Sequence, residues 1–188
     1  EFSILLTTIL QAFKTERLSG LSEVKPFFEP NSVVLIGSSK IRERVGIASP
    51  WLFESVIHNM NRFFDGKTFV LDIEGEKGYR ALEDLPETPD LGVVMLPPKV
   101  SMRLLERCAK MGIKALVIIT GGYTDSHRQQ LKALKRRYGV RVLGPNTIMG
   151  VINTVNGLNT TFERDIMPGR GNISVISQSG GVGACLLD

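Results

Sequence analysis

The sequence predicts an α/β domain built on a parallel sheet, and three features of the chain support this fold class. Short apolar runs alternate with amphipathic stretches of helical period between residues 24 and 143. The runs are almost continuously apolar, which is typical of strands buried on both faces. Most of them end in glycine, serine or proline, where a strand gives way to the next helix. Together these features predict a doubly wound sheet with right-handed crossovers.

Five strands and three helices follow from this alternation. The strands are expected at Ser32–Ile36, Lys67–Asp72, Leu91–Leu96, Ala115–Ile119 and Val140–Leu143. The helices are expected at Pro50–Phe64, Lys99–Met111 and Ser126–Tyr138. Pro50 suits the first turn of a helix, and Asp125 or Ser126 is expected to cap the third helix. Pro97 and Pro98 end the third strand, because proline cannot continue a central ladder.

After the fifth strand the sequence becomes rich in Asn, Gly and Thr, with few long apolar runs. We expect four parts in the chain. These are an N-terminal helical extension (1–23), a Rossmann-like domain (24–143), an extended connector (144–171) and the start of a second domain (172–188). In the last part we expect a strand at Asn172–Ile176 and a helix at Gly180–Leu187. They form the first βα unit of a flavodoxin-like domain that is truncated at Asp188. Because residue 1 is Glu and not Met, we expect an excerpt of a longer protein.

Composition excludes several classes of function. Apolar residues make up 43% and charged residues 22% of the 188 residues, with a net charge of +4, as in ordinary globular proteins. The basic run Lys132–Arg137 lies on a predicted helix, so we interpret it as a solvated face and expect no nucleic-acid partner. No apolar run approaches the roughly 20 residues of a membrane span, and Ile4–Phe13 lacks the flanks of a signal peptide. Cys108 and Cys185 are expected to be buried free thiols, which indicates a reducing compartment, the cytoplasm.

Three of the predicted strands end in small or conformationally special residues, and these ends meet at one edge of a parallel sheet. The segments are Gly37-Ser38-Ser39, Leu96-Pro97-Pro98 and Thr120-Gly121-Gly122. Together they predict a crevice for phosphates, although any one loop alone is better explained as a plain turn. The motifs of NAD-type turns and P-loops are missing. Arg42 and Arg44 either bind a ligand with several phosphates or are ordinary surface charges. Asp72 is a candidate for binding a ribose.

A further anion site is predicted near the end of the chain. There the apolar run breaks into Ser177, Gln178, Ser179, Gly180 and Gly181. A strand that breaks into serine and glycine and then starts a helix directs unpaired N–H groups at one point. These five residues are therefore expected to bind a phosphate.

Five blocks of the chain, in order, resemble the nucleoside-diphosphate-forming acyl-CoA synthetases. The blocks are Phe27–Ser39, Asp90–Pro98, Ile119–Tyr123, Gly144–Gly150 and Ser177–Gly180. The chain is most similar to the CoA-binding subunits of ADP-forming acetate–CoA ligase and, more distantly, to the α subunit of succinyl-CoA synthetase. The resemblance covers the chain from about residue 27 to its end.

This resemblance implies coenzyme A as the ligand and assigns roles to the quoted residues. The segments implied to contact CoA are Gly37, Ser38 and Ser39, then Pro97 and Pro98, and finally Ile119, Thr120 and Gly121. Lys77 is implied to stand where the succinyl enzymes keep a basic residue for CoA. Ser177–Gly181 is implied to hold the phosphoryl group of a phosphohistidine. ADP or ATP and Mg²⁺ are implied to bind a separate nucleotide-grasping domain or subunit.

The chain also departs from the family pattern. It reads Val70–Gly75 where relatives carry a Val-Asn-Pro-like turn on the adenosine side, and Gly121 stands where the succinyl enzymes carry Glu. The phosphohistidine is expected beyond Asp188. His58 and His127 are expected to face the solvent, and no triad, metal cluster or carboxylate pair is present, so no catalytic residue is assigned to this chain.

Three hypotheses follow for the function. In the first, the chain is the CoA-binding part of an ADP-forming acyl-CoA synthetase, which converts acyl-CoA, ADP and phosphate to acid, CoA and ATP through an acyl phosphate and a phosphohistidine. In the second, it is the synthetase-like regulatory region of a protein lysine acetyltransferase. In the third, it is a stand-alone CoA-binding module, against which the predicted start of a second domain counts.

Overall fold

A five-stranded parallel sheet forms the centre of the structure, a computed structural model that describes residues 24–41 and 48–187. The strands are β1 (Ser32–Gly37), β2 (Lys67–Asp72), β3 (Leu91–Val94), β4 (Ala115–Ile118) and β5 (Arg141–Leu143). They pair in the order β2-β1-β3-β4-β5, and each neighbouring pair is parallel. The predicted α/β class is confirmed. The predicted N-terminal extension, Arg42 and Arg44 lie outside the described residues.

Helices connect the strands and cover both faces of the sheet. They are α1 (Pro50–Phe63), α2 (Pro98–Met111), α3 (Asp125–Tyr138) and a short α4 (Gly180–Cys185), with a 3-10 turn at Leu82–Asp84. The Ser49 hydroxyl caps α1 by accepting the N–H of Leu52 at 3.2 Å. Both α2 and α3 end at a glycine with positive φ, Gly112 at 100° and Gly139 at 72°, where a side chain would be strained.

The two faces of the sheet have separate apolar cores. One face packs against α2 and α3, with Leu105, Cys108 and Leu134 among its buried side chains. The other packs against α1, with Phe53 and Met60 fully buried. Burying each large side chain contributes roughly 1.5–3 kcal/mol, so these helices fix the strand ends that carry the loops. Within the described ranges no helix has the length and apolar character needed to cross a membrane.

The segment predicted as an extended connector contains a small hairpin that packs on the domain. Strands β6 (Ile152–Asn153) and β7 (Leu158–Asn159) are antiparallel, and Leu158 joins the core beneath α1. The fully buried amide of Asn59 on α1 donates to the carbonyls of Thr161 at 2.9 Å and Glu163 at 2.8 Å. Residues 151–163 therefore pack against α1, while the predicted division into connector and domains stays a prediction.

The strand predicted at Asn172–Ile176 is not formed. These residues pair with no strand among the described residues, and Ile173 and Ile176 are 88% and 98% exposed. A strand needs a neighbour for its backbone hydrogen bonds and an apolar surface for its side chains. Neither is offered here by the described chain. The helix after it forms over Gly180–Cys185, and the start of a second domain stays a prediction.

Both histidines have partners that explain them without catalysis. His58 Nε2 lies 2.8 Å from Asp165 Oδ1, and its side chain is 41% exposed. His127 belongs to the cap of α3: its N–H is accepted by the Thr124 hydroxyl at 3.4 Å, and its Nδ1 accepts the Thr124 N–H at 3.1 Å. The predicted caps Asp125 and Ser126 are therefore wrong, because the cap is one residue earlier at Thr124.

The two cysteines differ in exposure, so the prediction that both are buried is wrong for Cys185. Cys108 is fully buried in the α2 core, and this burial raises the pKa of its thiol to about 12. Cys185 is exposed. We expect a thiol reagent at pH 8 to label one cysteine rapidly in the native protein and both in denaturant, because only the thiolate reacts. Cys185→Ser should abolish the rapid phase; two rapid equivalents in the native protein would contradict this assignment.

Candidate functional site

The candidate site lies at the carboxyl ends of β1, β2 and β3. In the strand order 2-1-3-4-5 the sheet grows in one direction from β1 to β2 and in the opposite direction from β1 to β3, so β1 and β3 flank a switch point of the topology. Ligands bind in the crevice at such a point. Backbone hydrogen bonds hold the three loops together there. Ile73 N–H donates to Gly37 at 3.1 Å, and Met95 N–H donates to Ile36 at 2.9 Å. Two of the predicted segments, Gly37-Ser38-Ser39 and Leu96-Pro97-Pro98, are therefore adjacent.

Gly37 must be glycine because the ring of Phe53 occupies the place of a side chain. A Cβ built on Gly37 would lie 2.2 Å from Phe53 Cδ2, far inside van der Waals contact. Phe53 is fully buried in the α1 core and cannot swing into solvent. This close packing lets the chain leave β1 tightly and places Ser38 and Ser39 over the sheet edge.

Ser39 is held by the carboxylate of Asp72 at the end of β2. The Ser39 N–H donates to Asp72 Oδ1 at 3.0 Å and the Ser39 hydroxyl to Oδ2 at 2.6 Å. Burial raises the pKa of Asp72, but hydrogen bonds from Ser39, Lys77 and Gly75 outweigh it, so the net pKa lies below 3.8. A Cβ on Gly75 would lie 1.9 Å from Asp72 Oδ2, so only glycine fits beside this pair. The Asp72 carboxylate, a candidate for a ribose from sequence, is occupied by Ser39.

Ser38 connects the first loop to the loop after β2. Its side chain is almost fully buried, its hydroxyl donates to Glu74 Oε2 at 3.2 Å, and the same oxygen accepts the Lys40 N–H at 3.2 Å. Ser39 and Ser38 thus bind the acidic residues at the end of β2 and in the loop after it, Asp72 and Glu74. Their hydroxyls are therefore used within the protein, and the next two residues, Lys40 and Ile41, line the adjacent cleft.

The main cleft of the site has a volume of about 520 Å³. Its lining combines cationic and apolar side chains: Lys40, Ile41, Ile73, Pro97, Lys99 and Val100, together with Glu74. Lys40 pairs with Glu76 at 3.0 Å, and both side chains are exposed. Lys99 has no ion-pair partner within the part of the chain that the structure describes. The cleft can therefore accept an anionic ligand that also has apolar surface.

The turn at Pro97 and Pro98 places the start of α2 at this cleft. Pro97 is the residue before the helix and Pro98 is its first residue, where the missing N–H leaves no donor unsatisfied. Both prolines are buried. Because the helix starts directly after them, Lys99 and Val100 lie in its first turn at the cleft.

The third predicted segment braces the site and does not line the main cleft. Ile119 donates its N–H to Val94 at 3.0 Å, and the fully buried Thr120 hydroxyl donates to the Leu96 carbonyl at 2.6 Å. A Cβ on Gly121 would lie 2.9 Å from Asn146 Oδ1. The segment thus ties the end of β3 to the end of β4.

Lys77 does not line the main cleft. Its ammonium group lies 2.8 Å from Glu54 Oε1 on α1, while its backbone N–H points to Asp72 Oδ2 at 3.4 Å. The backbone of Lys77 therefore lies close to the loops of the site, as the resemblance implies. Its ammonium group, however, is paired with Glu54 on α1.

The Ser177–Gly181 segment forms a turn of its own. The Ser177 hydroxyl donates to the Ser179 carbonyl at 3.0 Å and accepts the Ser179 N–H at 3.1 Å. The Ser179 hydroxyl caps α4 by accepting the Val182 N–H at 3.4 Å. The turn lies close to Ile148: a Cβ atom built on Gly180 would be 3.5 Å from the Cβ of Ile148. None of its residues lines the main cleft.

Several residues of the site were not found from sequence. Ile73, Glu74 and Gly75 fall in the segment that departs from the family turn, and no role was assigned to them, while Lys99 belongs to no motif. The signals that could have found them are that segment, just after a predicted strand, and the position of Lys99 at the start of a predicted helix.

The fold and this cleft define an α/β ligand-binding domain, and residues 69–153 match the family described as CoA binding domain. The chain matches the CoA-binding portion of ADP-forming acyl-CoA ligases. It is 36% identical to an acetate–CoA ligase (ADP-forming) of Methanocaldococcus jannaschii over 88% of this chain and 23% of that protein. It is 30% identical to acetate–CoA ligase (ADP-forming) II subunit alpha of Pyrococcus furiosus, over 84% of this chain and 35% of the subunit.

A solved structure has the same fold. The dinucleotide-forming acetyl-coenzyme A synthetase 1 of Ca. Korarchaeum cryptofilum, in complex with phosphate and ADP, superimposes with a TM-score of 0.71 at 28% identity. The match covers 87% of this chain and 36% of that one. The chain thus spans between about a quarter and a third of the curated relatives above.

Proposed function

We propose that this chain binds coenzyme A as part of an ADP-forming acyl-CoA ligase. The observation that carries the proposal is the main cleft at the β1–β3 switch point, in which Lys40 and Lys99 accompany Ile41, Ile73 and Val100. CoA needs this combination, since it has an anionic diphosphate and a long, weakly polar pantetheine arm. Lys40 and Lys99, both exposed at the cleft, can attract this charge.

The proposed reaction of the parent protein interconverts acyl-CoA, ADP and phosphate with acid, CoA and ATP. Phosphate attacks the thioester carbonyl, the C–S bond breaks, and CoA leaves with its thiol as an acyl phosphate forms. A histidine outside this chain then takes the phosphoryl group, releases the acid and passes the group to ADP. The contribution of this chain is to hold CoA so that its thioester is presented to phosphate.

The remaining roles also stay proposals. Gly37–Ser39, Pro97–Pro98 and Ile119–Gly121 shape or brace the CoA site, and Ser177–Gly181 steadies the phosphoryl group on the histidine. ADP or ATP and Mg²⁺ bind a nucleotide-grasping domain or subunit, and the protein works in the cytoplasm. Relatives named as ligases support this over the acetyltransferase hypothesis.

Calorimetric titration of the chain with CoA tests the proposal. We expect saturable binding that weakens as salt is added, because exposed cations are screened. Lys99→Ala should weaken binding about fivefold, or about 1 kcal/mol, since it removes an unpaired cation at the cleft. Lys132→Ala, an exposed lysine on α3, is the matched control and should leave the affinity unchanged. Absence of any binding at millimolar CoA would refute the proposed function.

A further inference from the structure

An exposed apolar patch lies where the chain approaches the first strand. Residues 24–28 form a helical turn, in which Phe27 is buried in the core between the sheet and α1. Val24 and Phe28, one turn apart on the same side, are 40% and 45% exposed. Val155, in the turn between β6 and β7, is 66% exposed. We call Val24, Phe28 and Val155 the corner patch.

Hydrogen bonds hold the two segments of the corner patch together. The Phe28 carbonyl accepts the side-chain amides of Asn153 at 2.8 Å and Asn156 at 3.0 Å, which lie on either side of Val155 in the chain. The guanidinium group of Arg170 donates to the Val155 carbonyl at 2.9 Å. The hairpin turn is therefore fixed against the helical turn, so the corner patch is a formed surface.

The part of the chain that precedes the described residues ends at the corner patch. Single exposed apolar side chains are common, but several on adjoining segments of a fixed surface indicate a partner that covers them. Residues 1–23 connect directly to Val24, which itself belongs to the patch. Because each residue spans at most about 3.6 Å, the residues just before Val24 stay beside this surface.

The sequence of residues 1–23 is complementary to such a surface. Apolar side chains recur at helical spacing along one face, at Phe2, Leu5, Ile9 and Phe13. The opposite face is polar, with Thr7, Gln11, Lys14 and Thr15. Ser19-Gly20 is a signal for the end of a helix, and Ser22 is a signal for the start of the next. The chain can therefore reverse its direction just before the helical turn at residues 24–28.

We propose that residues 2–18 fold back as an amphipathic helix and cover the corner patch with their apolar face. The reversal at residues 19–22 is the short loop of an αα-hairpin, whose second helix is the turn at residues 24–28. Docking removes apolar surface of both partners from water, which offsets the conformational entropy lost by the segment. A helix of this length is marginal in water by itself, so its formation depends on the patch. The inference is independent of the proposed CoA function.

Limited proteolysis of the full chain with trypsin tests the docking, because Lys14 and Arg17 are cleavage sites within the segment. We expect both sites to be cleaved at least about tenfold more slowly than in a free peptide of residues 1–23. Val155→Asp places a charge in the covered surface and should raise the cleavage rate about tenfold. Ile9→Asp should do the same from the other partner. The double variant should exceed either single variant by less than about twofold, because both substitutions remove the same contact.

Two matched controls separate docking from a general effect of added charge. Val182→Asp changes a valine that is 51% exposed outside the corner patch, and Gln11→Asp changes the polar face of the segment. Both should leave the cleavage rate unchanged, and thermal unfolding verifies that each variant is folded. Cleavage of the wild-type chain as fast as the free peptide would overturn the proposal, as would equal effects of Val155→Asp and Val182→Asp. Protection that is lost as the protein is diluted would also overturn it, because the patch would then be covered by a second copy of the chain.

Discussion

Replacing Asp72 with alanine is expected to lower the free energy of unfolding by about 3 kcal/mol and to weaken CoA binding at least about tenfold. The substitution leaves the N–H and hydroxyl of Ser39 without the carboxylate that binds them at 3.0 and 2.6 Å. Asp72 is fully buried, so water replaces those hydrogen bonds poorly. The loop carrying Ser38 and Ser39 then loses its fixed position beside the cleft. Urea denaturation and calorimetry measure the two effects.

Asp65→Ala is the matched control. Asp65 is exposed, so its substitution is expected to change the free energy of unfolding by less than about 0.5 kcal/mol.

The pH dependence of stability provides a second readout. The pKa of Asp72 is lowered in the folded state, so its contribution to stability is complete above its ordinary value of 3.8 and is lost as the pH falls through the folded pKa. The stability difference between wild type and Asp72→Ala should therefore be constant near neutral pH and shrink below about pH 4. A difference that grows on acidification would show that the carboxylate is not stabilised by these hydrogen bonds.

Gly37→Ala is expected to destabilise the chain by about 3 kcal/mol, at the upper end of the range for overpacked cores. Its methyl group would lie 2.2 Å from the ring of Phe53, which has no room to move because it is fully buried beneath α1. Relief requires either the ring or the end of β1 to shift. Since Gly37 accepts the N–H of Ile73, a shift of β1 also disturbs the β2 loop. Denaturant unfolding and CoA titration report these two consequences.

A double-mutant cycle identifies the clash as the cause. Phe53→Ala removes the ring and destabilises by itself, but Gly37→Ala should cost much less in that background, with a coupling above about 1 kcal/mol. Gly169→Ala is the matched control, since a Cβ there meets no atom within 4 Å. Simple additivity of Gly37→Ala and Phe53→Ala would rule out the steric explanation.

The sequence predicted the existence of the strands better than the residues at which strands and helices begin and end. Continuous apolar runs located all five parallel strands, because burial on both faces leaves a strong local signal. The third strand was expected to extend to Leu96 but ends at Val94, and the cap of α3 is Thr124, one residue before the predicted positions. Such limits depend on individual hydrogen bonds, which periodicity does not specify.

The hairpin β6–β7 was missed for a different reason. Its strands have two residues each, too few for an alternating pattern to be visible. They are held by packing on α1, and the residues just after β7 are held by the buried amide of Asn59, about a hundred residues earlier in the chain. The exposed run at Ile173–Ile176 shows the converse, since a clear apolar pattern forms no strand where the described chain supplies no neighbour.

The sequence by itself determined the fold class and the loops that carry the site, because buried strands and the glycine, serine and proline that end them are local signals. It also supported a family resemblance through five short blocks in order. Tertiary structure alone decided which side chains meet: Asp72 with Ser39 across 33 residues, Ser38 with Glu74 across 36 residues, and Lys77 with Glu54 on α1. Charges and hydrogen-bonding groups act over a few ångströms, so their partners are set by how distant segments pack.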